Sequence, residues 1–131
     1  MTRTHVAGLS VVVSDMPRAL AFYRACGLDI DPAQDGEPHA ETVLDGGFRL
    51  MFDTVDVIRS FDASWTPPAG GHRMALAIDC GDPAEVDRRH AELVGAGATD
   101  HLAPFDAFWG QRYAVVLDPD GNPVDLFAAV S

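Results

Sequence analysis

Cysteine is scarce. The chain has two, Cys26 and Cys80, and neither belongs to a Cys-x-x-Cys pair, which excludes a disulfide framework and the common paired-thiol motifs. Both are expected to be reduced and to act as small apolar side chains, since no activating base adjoins either one. Basic residues are few as well, nine against twenty acidic ones, for a formal charge of −11. Such a chain repels phosphate backbones and has little basic surface to follow them, so no nucleic-acid partner is expected. The acidic excess reads first as a solvated surface that keeps the protein in solution, and second as an attraction for cationic ligands.

Long apolar runs are missing too. No stretch approaches the roughly 20 apolar residues that span a bilayer, and Met1 to His5 has no apolar signal core after its single charge. The expectation is a soluble, cytoplasmic protein with no membrane partner. What is present suffices for one core: 131 residues, 47% of them apolar, predict a single domain over 1–131.

A repeat organises that domain. Ala7 to Ser14 is a β-rich run, and Asp15-Met16-Pro17 can cap and start a helix carried by Ala19, Leu20, Phe22, Tyr23 and Cys26, with Gly27 as its stop. Met74 to Cys80 opens the second half the same way, with Asp82 as cap, Pro83 in the first turn and a helix to about Ala96. Pro17 and Pro83 lie about half the chain apart, which suggests an internal duplication. Short β-like pieces follow the first helix at Leu28–Ile30, Glu41–Leu44 and Phe48–Asp53, with Asp45-Gly46-Gly47 as a turn. In the second half they fall at Thr99–Ala103, Arg112–Leu117 and Val124–Ala129, with Asp118-Pro119-Asp120-Gly121-Asn122 as a turn.

The fold class expected is therefore α+β, two βαβββ modules at about 4–57 and 72–131, joined by a linker at about 58–71. The linker region holds Trp65, and a second loop, Ala103 to Gly110, holds Phe105, Phe108 and Trp109. Loops this aromatic are usually packed against something.

These residues resemble the vicinal oxygen chelate superfamily, which includes glyoxalase I, extradiol dioxygenases, fosfomycin-modifying enzymes and bleomycin-resistance proteins. The likeness is carried by Val13-Ser14-Asp15-Met16-Pro17-Arg18-Ala19 with Phe22-Tyr23-Arg24 and Gly27-Leu28, by the equivalent second strand and helix, and by Phe108-Trp109-Gly110-Gln111-Arg112 running into the Asp-Pro-Asp-Gly-Asn turn. The resemblance implies a cup-shaped mixed sheet, and the scaffold hosts enzymes and non-catalytic binders alike.

Metal-dependent relatives place a histidine on the first strand of a half and a carboxylate on the last. By the resemblance, Gly8, Arg73 and Asp125 stand at three such positions, and only Asp125 can coordinate, so no metal or other cofactor is expected. His72 is the best substitute ligand, but it needs a bulge to reach the cup. His5, His39, His90 and His101 read as surface residues. If Gly8 and Arg73 face the cup, alternation brings Ser10, Val12, Ala75 and Ala77 there too and turns Leu9, Val11, Val13, Met74, Leu76 and Ile78 to the helices.

Arg73 and Asp125 would then face each other, as an ion pair or as ligand contacts. Trp65, Phe105, Phe108 and Trp109 are the candidates to stack on a flat ligand, and Gln111 adds a polar contact. The site expected is Gly8, Ser10, Trp65, Arg73, Ala75, Phe105, Phe108, Trp109, Gln111 and Asp125, with no catalytic residue. The function expected is sequestration of a bulky aromatic natural product or antibiotic by a homodimer, serving resistance or self-protection. The alternatives are a metal-dependent lyase, isomerase, dioxygenase or thiol transferase, and a metal-free enzyme with Asp125 as general base.

Overall fold

Val11, Val12 and Val13 are stiff at χ1 and hold the run after Gly8 extended as strand β1 (Gly8–Val13). Asp15 ends the strand by capping helix α1 (Met16–Ala25), its carboxylate accepting from the Arg18 N–H at 3.1 Å. Gly27, at φ 107°, turns the chain out of the helix. These elements belong to a computed structural model that describes residues 3–130.

No strand forms at Leu28–Ile30. Asp31 caps a 3-10 turn at Pro32–Gln34, and Arg24 of α1 holds the approach by donating to the Ile30 carbonyl at 2.8 Å and to Asp35 at 2.6 Å. Ile30 is instead a buried peg in the core. Strands β2 (His39–Val43) and β3 (Arg49–Thr54) then pair antiparallel, and β3 lies parallel to β1, giving the order β1-β3-β2. Thr54 caps helix α2 (Val55–Phe61), which packs against β1 and β3, so the expected linker begins inside a helix.

The second half is βαβββ. Strand β4 (Leu76–Asp79) is shorter than the run Met74–Cys80, and Met74 is 70% exposed rather than turned to a helix. Asp82 caps helix α3 (Pro83–Gly95), accepting from the Glu85 N–H at 3.0 Å. Strands β5 (Thr99–Ala107), β6 (Gln111–Leu117) and β7 (Pro123–Ala129) complete a sheet of order β4-β7-β6-β5, with β4 parallel to β7. Most of the expected loop Ala103–Gly110 is strand, because register shifts between Asp100 and Leu102 and between Leu102 and Phe105 absorb Pro104 without ending the pairing. His90, expected at the surface, is buried on α3 with Nε2 3.0 Å from the Asp100 carboxylate.

Among the described residues no helix is long and apolar enough to cross a membrane. The two cysteines are free, Cys26 buried and Cys80 half-buried.

The halves share one core in which Leu20, Tyr23, Leu50, Phe52, Val86, Leu93 and Leu126 are the larger fully buried side chains. Tyr23 leans on Phe52 with ring centroids 5.1 Å apart and donates its hydroxyl to Asp118 at 2.7 Å. Asp118 is 5% exposed and also accepts from the N–H groups of Asp120 and Asn122 and from Asn122 Nδ2, at 2.8–2.9 Å. The turn Asp118–Asn122 is thus wound around one carboxylate, and α1 of the other half supplies its fourth donor. Burial, with the carboxylate beside it, pushes the Tyr23 phenol far above its ordinary value, so it stays a donor.

Tyr23→Phe removes that donor and leaves Asp118 buried with one bond fewer. The expected loss is about 1.5–3 kcal/mol, seen as a lower urea midpoint at unchanged slope. A midpoint equal to wild type would show that the cross-half bond contributes nothing net.

Candidate functional site

Side chains on a strand alternate, and the pairing registers state which ones share a face. Ala77 pairs with Asp125 and Asp125 with Val115, while Asp79 pairs with Phe127, Phe127 with Tyr113 and Tyr113 with Phe105. Gln111 and Ala107 form the next row. Ile78, Leu126, Ala114 and Arg112 point the other way, toward α3, where Arg112 Nε donates to Asp87 at 2.9 Å. The face away from α3 therefore carries Ala77, Asp79, Phe105, Gln111, Tyr113, Val115, Asp125 and Phe127.

Gly110, at φ 93° with its N–H on the Ala107 carbonyl at 3.1 Å, closes a tight turn between β5 and β6 that lifts Phe108 and Trp109 to the hairpin tip. The Trp109 ring meets Tyr113 at 5.4 Å, Phe108 at 5.0 Å and Phe105 at 6.5 Å, each edge to face. Phe105 also meets Tyr113, at 6.0 Å. Trp109 Nε1 donates to Gln111 Oε1 at 2.7 Å, which fixes the indole. The Tyr113 hydroxyl is bonded to Asp125 Oδ2. Phe108 is 97% exposed and Trp109 half exposed, so the cluster presents ring surface outward.

Phe105, Phe108, Trp109, Gln111 and Asp125 are thus gathered in one place. The other expected residues lie elsewhere. Gly8 and Ser10 are on the face of the first sheet away from α1, and Ser10 donates to Asp53 Oδ2 at 2.9 Å. The same carboxylate meets His39 Nδ1 at 2.6 Å, and Arg49 forks onto Glu41 beside them, holding Glu41 below its usual range. This face is polar and its charges are largely paired. A Cβ on Gly8 would come within 2.2 Å of the Arg49 carbonyl oxygen, so the close approach of β3 already demands that glycine. Trp65 sits after α2 with the Arg59 guanidinium 5.8 Å over its ring, and among the described residues it shares no ring contact with the aromatic cluster. Arg73 and Ala75 are exposed in the segment before β4, and no ion pair joins Arg73 to Asp125 among the described residues.

The donor set does not fit a divalent transition metal. Asp15 and Asp82 cap equivalent helices, and five residues before each stand Ser10 and Ala77, whose strand partners are Met51 and Asp125. Met51 therefore occupies in the first half the place of Asp125 in the second. The same count pairs Gly8 with Ala75, so Gly8, Ala75 and Met51, with Arg73 just before them in the second half, leave one carboxylate, itself bonded to a phenol. His72 faces His101 with ring centroids 6.2 Å apart, and no group of three or more His, Cys, Asp or Glu is placed to hold a metal among the described residues.

Tyr113 and Phe127 escape the sequence reading. Alternation along β6 from Gln111 and along β7 from Asp125 points to both, because each stands two residues away on the same face.

Burial pushes the Tyr113 phenol up to about 12, with the Asp125 bond and charge adding to it. A raised phenol favours the folded state below its ordinary value, and that contribution is lost as pH rises through about 12. Asp125→Asn removes the charge and should lower the Tyr113 midpoint in a tyrosinate absorbance titration. An unchanged midpoint would mean the two groups are not coupled.

Comparison with known proteins agrees with the geometry. An uncharacterized protein of Mycobacterium bovis is 32% identical over 117 residues, 86% of this chain and 75% of that protein. A glyoxalase/bleomycin resistance protein/dioxygenase family enzyme from Burkholderia phytofirmans superposes with a TM-score of 0.81 at 20% identity, over 97% of this chain and 100% of that one. A glyoxalase-related enzyme from Fulvimarina pelagi gives 0.78 at 21% identity, over 96% and 88%. The two solved structures share the fold. The sequence model of the Glyoxalase/Bleomycin resistance protein/Dioxygenase superfamily matches residues 3–126, and the chain belongs to that superfamily.

Proposed function

We propose that this protein binds a bulky, flat aromatic natural product and holds it unchanged, as a means of resistance or self-protection. The observation that carries the reading is the ring surface of Phe105, Phe108 and Trp109, exposed at a hairpin end over the half-buried Tyr113 and beside Gln111 and Asp125. Aromatic side chains carry much of the burial energy at binding surfaces, and a few fixed polar groups orient what they hold. Trp109 is pre-set by Gln111, so stacking on it costs little side-chain entropy. The superfamily's fold serves enzymes and binders alike, and the unsuitable donor set at the metal positions favours the binder.

A second copy of the chain completes the site in this reading. Val6, Val43 and Met74 are exposed along with the aromatic tip, and an isologous pair would cover apolar surface that a monomer leaves to water. Light scattering over a dilution series should give twice the monomer mass. A monomer mass persisting at high micromolar concentration would remove the dimer from the proposal.

Trp109→Ala should weaken binding of polycyclic antibiotics about tenfold to hundredfold, equivalent to about 1.4–2.8 kcal/mol. Tryptophan quenching reads the titration, and in the variant Trp65, under the Arg59 guanidinium, remains as the second emitter. If a ligand quenches wild type and the folded variant binds it as tightly, the stacking site lies elsewhere.

A further inference from the structure

The charges that the strands themselves place on the aromatic face have one sign. Among the described residues, the strand-borne ionised groups on the face away from α3 are Asp79 and Asp125. The one arginine of these strands, Arg112, points to α3 and is shared between Asp87 and Asp106. Hydrogen-bonding capacity is just as one-sided. The Trp109 N–H is taken by Gln111, and the Tyr113 hydroxyl gives its proton to Asp125, a carboxylate that can only accept. What remains for a ligand is acceptors: Asp125 Oδ1 and the Tyr113 oxygen, with the Gln111 amide as the one donor beside them.

A flat neutral ligand laid over Tyr113 would strip water from the half-buried Asp125 carboxylate and return nothing, a penalty that grows with coverage. An anion would add repulsion. A cation replaces the lost water, gains from ring faces whose quadrupole attracts positive charge, and is drawn in by a chain of net charge −11.

We propose that the ligand is a flat aromatic cation, with its positive charge or protonated amine seated at the Tyr113–Asp125 pair and its rings on Trp109. The proposal rests on the stacking site described above and adds the charge class that the site admits. Asp125, at the position where metal-dependent relatives bind their ion, here selects organic cations instead.

Three tricyclic probes of one shape separate the terms: proflavine, cationic at neutral pH, acridone, neutral, and acridine-9-carboxylate, anionic. Each is titrated against wild type, Trp109→Ala and Asp125→Asn, with circular dichroism establishing the fold of each variant. Proflavine should bind wild type about tenfold more tightly than acridone and tighter still than the carboxylate, and Asp125→Asn should shrink the proflavine preference to within about threefold. Wild type needs no variant for the first comparison, so a misfolded Asp125→Asn leaves it decisive. Equal affinity for all three, lost in Trp109→Ala, would overturn the charge selection while leaving the stacking site. If none of the three probes quenches wild-type tryptophan at millimolar concentration, both the charge selection and the stacking site are overturned.

Discussion

The bond from Tyr23 to Asp118 joins the two halves of this molecule at their most buried polar point. Asp118 is the hub of its own turn, and the turn ends β6 and begins β7, the strands that carry Tyr113 and Asp125. The rows of the second sheet are therefore registered by a carboxylate whose fourth partner belongs to α1. Ser14, at the end of β1, bonds Asp120 of the same turn, and Arg89 of α3 donates to the Ala25 carbonyl at the end of α1. The polar connection between halves is built from helix ends and one turn, and it leaves the sheet faces away from the helices out of the joint.

Each sheet keeps apolar side chains against its helix and puts something else on the opposite face. In the first half that is a paired polar array of Ser10, His39, Glu41, Arg49 and Asp53. In the second it is aromatic, with one phenol and one carboxylate bonded together. The halves thus share a plan, a strand parallel to the last strand of its sheet with a helix on one face, but have three and four strands and different surface chemistry, and the division explains why the ligand reading falls on one sheet rather than on both.

Helices α1 and α3 were legible because capping is local: Asp15 with Pro17 and Asp82 with Pro83 act within one turn of themselves. The pairing of the Phe-Tyr-Arg helix with the Asp-Pro-Asp-Gly-Asn turn is legible only as a resemblance, since Tyr23 and Asp118 are far apart in sequence. Pro104 reads as a strand breaker, and only the partner strand shows that a bulge accommodates it. Leu28–Ile30 has strand-like composition, but Arg24 and Asp31 commit the backbone to a turn. Trp65 and Trp109 look alike as loop aromatics. Trp109 is held by a strand neighbour, Gln111, and Trp65 by the guanidinium of a helix that the sequence reading passed over. Where a loop aromatic settles is decided by its particular neighbours, a strand residue in one case and a helix residue in the other.

The irregular strand β5 has one more effect. It is the outer strand of its sheet, and the exposed rings of Phe105, Phe108 and Trp109 lie along and just beyond it. A long, flat outer strand beside exposed aromatic rings would invite strand addition from other chains, the first step toward aggregation. Two register shifts break the ladder, and Pro104 has no N–H to offer a newcomer. The protein can display sticky rings at that margin because the backbone next to them is a poor template.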